Sequence, residues 1–113
     1  MADDCLFCRI VRKEIPAKLI AETADCIAFS DVNPQAPVHV LIIPRLHVAS
    51  LNSADKPALL GNMLELAADI AESQGVAESG YRTVINTNSD GGQSVYHLHA
   101  HLLGGRRLSW PPG

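Results

Sequence analysis

The stretch Gln93-Ser94-Val95-Tyr96-His97-Leu98-His99-Ala100-His101-Leu102-Leu103 sets a histidine at every second position. In an extended chain successive side chains point to opposite faces. The three imidazoles therefore share one face, while Leu98, Ala100 and Leu102 share the other. The leucine face packs, and the histidine face looks into a cleft, water or a ligand. This pattern predicts a strand over residues 95–103.

Working outward, the apolar runs at 81–86, 38–43, 26–31 and 18–22 read as further strands. Thr23-Ala24-Asp25 is a tight connection, and Asn33-Pro34-Gln35-Ala36-Pro37 is a loop by its two prolines. Pro44 stops the run that begins at Val38. Residues 88–92, rich in Gly, Ser and Asp, read as a turn or loop. Leu6, Phe7, Ile10 and Val11 have the spacing of a short helix over 5–12, ended near Pro16. A longer helix follows Ser53 or Asp55 as its cap, with Pro57 in the first turn. Its stripe of Leu59, Leu60, Met63, Leu64, Ala67 and Ile70 faces a core, and Gly75 ends it. The sum is an α+β fold: about five mostly antiparallel strands, one short helix and one long one.

At 113 residues the chain fits a single domain spanning 1–113, with one modest core. Hydrophobic residues make up 47% and charged ones 19%, too apolar for a disordered chain. A formal charge of −3 and the absence of a basic run argue against nucleic acid as a partner. No apolar stretch approaches the roughly 20 residues that span a bilayer, so no membrane partner is expected. Met1-Ala2-Asp3-Asp4 is acidic where a secretory leader is basic, which leads to a cytoplasmic expectation.

All five histidines lie between 39 and 101. One zinc ion held by all three of the row is excluded by distance, because residues four apart on a strand are ~13 Å apart. A phosphate site with a nucleophilic histidine fits better. Imidazole is largely neutral at pH 7 and attacks without a separate base, while neighbouring rings donate to phosphate oxygens. Asp90-Gly91-Gly92-Gln93-Ser94 adds glycines whose N–H groups can approach a phosphate, and two side-chain donors. Three cysteines without an export signal argue against disulfides. Cys5-x-x-Cys8 points to a metal or redox pair, and no strand precedes it as a redox motif would want. Cys26 reads as a small buried hydrophobe.

Extended to Gly104-Gly105, the histidine stretch resembles the signature of the histidine triad superfamily, in particular its nucleotide-binding branch of nucleoside phosphoramidases. Residues 12–18, 31–39, Ile43-Pro44-Arg45-Leu46-His47 and the terminal Trp110-Pro111-Pro112-Gly113 agree, so the resemblance covers nearly the whole chain. It implies a HIT-like fold and a homodimer whose two sheets join into one of ten strands. It implies hydrolysis of purine nucleoside 5′-phosphoramidates and related adenylates, with a nucleotide such as AMP or GMP as ligand. His99 would be the nucleophile, His101 would polarise the α-phosphate, His39 would support the triad, and Ser94 would assist the leaving amine. Gly92, Gln93 and Asn86 would lie by the phosphate and Asp31 by the ribose. Phe7, Ile10, Ile15, Phe29 and Val32 would form a slot for the base. Core packing explains Phe7, Ile10, Ile15 and Val32 equally well, and turn formation explains Asp31.

The cysteines resemble those of bacterial members that hold a structural zinc ion through Cys5, Cys8, His47 and His97; no organic cofactor is implied. Hydrolysis of dinucleoside polyphosphates is the alternative activity. A nucleotide-binding regulator with little turnover and a zinc-dependent interaction module are the alternatives outside catalysis. Nucleotide transfer to sugar phosphates is disfavoured, because that branch carries Gln where His101 stands.

Overall fold

The computed structural model describes residues 4–113. In chain order it comprises helix α1 (Leu6–Val11), strands β1 (Leu19–Glu22), β2 (Cys26–Ser30) and β3 (Val38–Pro44), a 3-10 turn (Leu51–Ser53) and helix α2 (Pro57–Ser73). Strand β4 (Tyr81–Val84), the one-turn helix α3 (Asn88–Gly91) and strand β5 (Ala100–Gly104) follow. The five strands form one antiparallel sheet in the order β1-β2-β3-β5-β4, so β5 inserts between β3 and β4. Among the described residues no helix is long and apolar enough to cross a membrane.

Both faces of the sheet are covered, which is why β2 and β3 are nearly continuous apolar runs. Cys26, Ala28, Val40, Ile42, Ala100 and Leu102 point towards α2 and pack on Leu59, Met63, Leu66, Ala67, Ile70 and Ala71. Ile27, Phe29, Leu41 and Ile43 point the other way and pack on Phe7 and Ile10 of α1. The histidine face is this second face. It is therefore roofed by α1, and His97 and His99 are 0% and 5% exposed.

Several expectations need correction. Helix α2 starts at Pro57 with Lys56 as an uncapped N-cap; the proline ring keeps the preceding residue out of the helical region, so the boundary falls beyond Ser53 and Asp55. Ser53 instead closes a capping box with Ser50 around the 3-10 turn. Leu64 is 44% exposed, and Leu66 takes the inward position in its place. Within the expected turn, residues 88–91 form a single helical turn, closed by Gly92 in the left-handed region at φ 85°.

The fifth strand begins at Ala100, five residues later than expected, and β4 likewise ends early, at Val84 opposite His101, so that Asn86 faces the stretch before β5 and has no strand to pair with. The register that pairs Ile42 with Ala100 would next bring Pro44 opposite Leu98. Pro44 has no N–H to give, and its carbonyl is taken by the His97 ring. Leu98 N–H turns to Val48 O instead, at 2.6 Å. The inward alternation of Leu98, Ala100 and Leu102 survives the loss of pairing, since all three lie in the α2-side core.

Candidate active site

His99 lies at the end of the unpaired stretch and His101 on β5. The Nδ1 of His99 faces the His97 carbonyl at 2.8 Å, so this nitrogen carries the proton and donates it. The lone pair of His99 is then on Nε2. Its ring is wedged edge-on by Phe7, with centroids 5.1 Å apart, and stands 5.0 Å from the ring of His101.

A second chain of bonds orients His101. Gln35 N–H donates to His39 Nδ1 at 3.0 Å, which leaves the His39 proton on Nε2. That proton is donated from His39 Nε2 to His101 Nδ1 at 2.9 Å, and Asp31 Oδ2 lies 3.3 Å from His39 Nε2. His101 must then carry its own proton on Nε2. The site thus pairs a lone pair on His99 Nε2 with an N–H donor on His101 Nε2, adjacent on one face. Burial pushes the pKa of His39 and of His99 below the usual histidine value, partly opposed by Asp31. His101 falls to about 4, through burial first and then the neighbouring rings of His99 and His39. All three are neutral at pH 7, as a nucleophile and a neutral donor require.

Of the other expected residues, Gln93 and Gly92 are placed differently from the expectation. Gln93 is no free donor: its amide N–H groups go to Ala49 O at 2.8 Å and Val95 O at 3.0 Å, and its oxygen accepts from Asn88 N–H. Gly92 N–H is likewise spent inside the α3 turn. These two residues shape the loop before the histidines. The Ser94 side chain is exposed, and Asn86 is half-buried between β4 and α3. Phe7, Ile10 and Phe29 are buried in the α1-side core, Ile15 packs on its rim, and Val32 is fully exposed. A groove of about 200 Å³ runs beside them, lined by Ile10, Lys13, Ile15, Pro16, Ala17 and Leu19. Asp31 serves both in a turn, accepting from Asn33 N–H at 2.8 Å, and as a partner of His39. Gln35 escaped the sequence reading because a backbone donor leaves no side-chain signature.

Among the described residues, two groups could hold a metal ion. In the first, Cys8 Sγ lies 3.2 Å from His47 Nδ1 and 3.5 Å from His97 Nδ1, Cys5 Sγ lies 3.5 Å from His97 Nδ1, and the two Nδ1 atoms are 3.3 Å apart. Around tetrahedral zinc, with bonds of about 2.1 Å to nitrogen and 2.3 Å to sulfur, the N···N edge is about 3.4 Å and the N···S edge about 3.6 Å. The donor set fits. His97 Nε2–H donates to Pro44 O at 2.8 Å, which leaves the Nδ1 lone pair for a metal. The second group, Asp31, His39 and His101, does not fit. Metal on His39 Nε2 would force the proton onto Nδ1, against the N–H of Gln35.

The profile of the HIT domain matches residues 12–108. The chain belongs to the HIT domain family. A HIT-like protein of Synechococcus elongatus is 55% identical over the full length of both chains. The purine nucleoside phosphoramidase of Escherichia coli is 49% identical, covering 96% of this chain and 92% of that one. The crystal structure of a HIT family hydrolase from Legionella pneumophila superposes with a TM-score of 0.95 at 51% identity, covering 97% of this chain and all of that one. The α+β sheet of this HIT protein is thus the family fold. The matched segment contains all five histidines of the HIT protein but neither Cys5 nor Cys8.

Proposed function

We propose that this HIT protein is a hydrolase of purine nucleoside 5′-phosphoramidates and related adenylates, and that the described fold is its single domain. The observation that carries the reading is the fixed tautomer of His99, with its Nε2 lone pair beside the Nε2–H of His101. His99 Nε2 attacks the α-phosphorus, and a bond forms between that nitrogen and phosphorus as the P–N bond of the substrate breaks. His101 donates to a phosphate oxygen while charge gathers there. The amine leaves with a proton drawn from solvent through the exposed Ser94 hydroxyl, and the water of the second step returns a proton to solvent. Water then attacks the same phosphorus and breaks the bond to His99, which releases the nucleoside monophosphate and restores the ring. His39 holds His101, and Asp31 holds His39 and accepts from the ribose hydroxyls. Asn86 and Gly92 lie towards the phosphate, Gln93 keeps their loop in shape, and Ile15, Val32 and the core edge of Phe7, Ile10 and Phe29 bound the base. The name of the E. coli relative supports this substrate class over dinucleoside polyphosphates.

Cys5, Cys8, His47 and His97 would hold a structural zinc ion, which would cross-link the start of α1 to the segments after β3 and before β5. The protein acts as a cytoplasmic homodimer with a continuous ten-stranded sheet, a reading supported by the edge positions of β1 and β4 and by the 80% exposed Trp110. Sedimentation at micromolar concentration gives twice the monomer mass.

Incubation with adenosine 5′-phosphoramidate releases AMP, and folded His99→Ala loses at least ~10³-fold of the rate, because the covalent route is gone. A folded, AMP-binding parent that does not turn over would reject the phosphoramidase reading in favour of a nucleotide-binding regulator.

A further inference from the structure

We propose that Arg106 is a positioning residue that sets the tautomers of His39 and His101 from outside the site. Its Nε and Nη2 donate to the Gln35 carbonyl at 3.1 and 3.0 Å, and Nη1 donates to Arg107 O at 3.1 Å. All three guanidinium nitrogens are engaged, so the fork is held rather than free in solvent. Residue 35 is thereby gripped at its carbonyl by Arg106, while its N–H is aimed at His39 Nδ1. The relay runs from the end of β5, through a loop backbone, to the ring that bonds His101.

The fit of the two segments is independent support. Gly105 has φ 90°, and a Cβ there would stand 2.9 Å from the Pro37 ring. Only glycine lets the chain lie this close to the 33–37 loop, and that approach brings the next residue, Arg106, over Gln35.

The consequence follows from the two forms of imidazole. A neutral ring in water exchanges its proton between Nδ1 and Nε2, and a neighbour selects one form by facing one nitrogen. The Gln35 N–H excludes the Nδ1–H form of His39. If residue 35 drifts, only Asp31 Oδ2, 3.3 Å from Nε2, still favours the original form; the other form becomes accessible, and the Nε2 lone pair of His39 then faces Nδ1 of His101. His101 moves its own proton to Nδ1 in response and loses the Nε2–H that the reaction uses. Fold and nucleotide contacts stay, while the chemical step slows.

The importance of the tautomer to catalysis rests on the reading of His101 given above, whereas the relay itself does not. The test uses ¹⁵N-histidine protein without substrate, read by long-range ¹H–¹⁵N correlation, which distinguishes the tautomers directly. In the parent, His39 and His101 both show the Nε2–H pattern. In Arg106→Met, which keeps the stem and removes the donors, both patterns become averaged. The kcat for adenosine 5′-phosphoramidate drops roughly 10- to 100-fold at nearly constant KM. Arg106→Lys, which keeps the charge without the fork and is the milder variant for folding, lies between the two. Unchanged His39 and His101 patterns in either folded variant would overturn the proposal, whatever the kinetics. Altered patterns in a protein whose parent has no turnover would leave the relay standing and remove the phosphoramidase reading alone.

Discussion

His101 carries the strongest residue-scale prediction, because three titratable neighbours face it. Burial withdraws water from its ring, His99 and His39 oppose a further positive charge, and Asp31 only partly offsets them, so the pKa falls from 6.5 to about 4. Between those values the unfolded chain binds the proton and the folded one does not. The contribution is therefore fully present above pH 6.5 and is lost progressively as pH drops towards 4. Urea midpoints measured from pH 7.5 to 4.5 should fall along the acid limb. His101→Gln, which has nothing to protonate, should flatten that limb; an identical slope in the variant would assign the loss to other groups. Gln93 makes a different residue-scale case, as a buried amide that satisfies three backbone groups. Gln93→Ala should cost about 2–3 kcal/mol in equilibrium unfolding, since those groups are left without partners.

At the scale of elements, the contact between the end of β5 and the 33–37 loop decides how the histidine row is braced. Gly105→Ala must place a methyl against Pro37 at 2.9 Å while holding a positive φ. Strain and crowding together should cost about 2–4 kcal/mol by urea denaturation. Helix α1 is the other brace. Phe7 meets Phe29, His97 and His99 edge-on, with centroids 5.6, 5.9 and 5.1 Å away. Phe7→Ala should cost about 3–5 kcal/mol, as a buried aromatic that leaves a cavity. A loss below 1 kcal/mol would mean that α1 is not held by this core.

For the whole molecule, the sheet separates two jobs. One face carries the larger core under α2, and the other carries α1, the Cys5, Cys8, His47 and His97 group that could hold a metal ion, and the histidine pair. His97 joins the last two: its ring belongs to the Cys5, Cys8 and His47 group, and its carbonyl holds the proton of His99. Metal analysis of the purified protein should give one zinc per chain, and Cys8→Ala should lower that content sharply. Chelation should lower the melting temperature and speed amide exchange across α1 before it affects the α2 side, because the cross-link joins the start of α1 to the segments after β3 and before β5. Unchanged α1 exchange after complete removal of the metal would leave no structural role for it.

The sequence by itself determined the elements whose signal is local. Alternation at 97–102 told which side chains face the core, prolines 34, 37 and 44 bounded the strands, and Gly75 ended α2. The motif residues of the histidine row were legible for the same reason, since period and spacing survive without partners. Strand ends were not legible, because pairing is a property of two segments: β5 starts late only because Pro44, opposite it, offers no donor and gives its carbonyl to His97. The second core was hidden as well, since nothing in the alternation says that α1 will roof the histidine face. The tautomers were hidden most completely. They are set by the backbone of Gln35, His97 and Pro44, identical in chemistry to every other peptide group in the chain, and only the tertiary structure brings them to the right ring nitrogens.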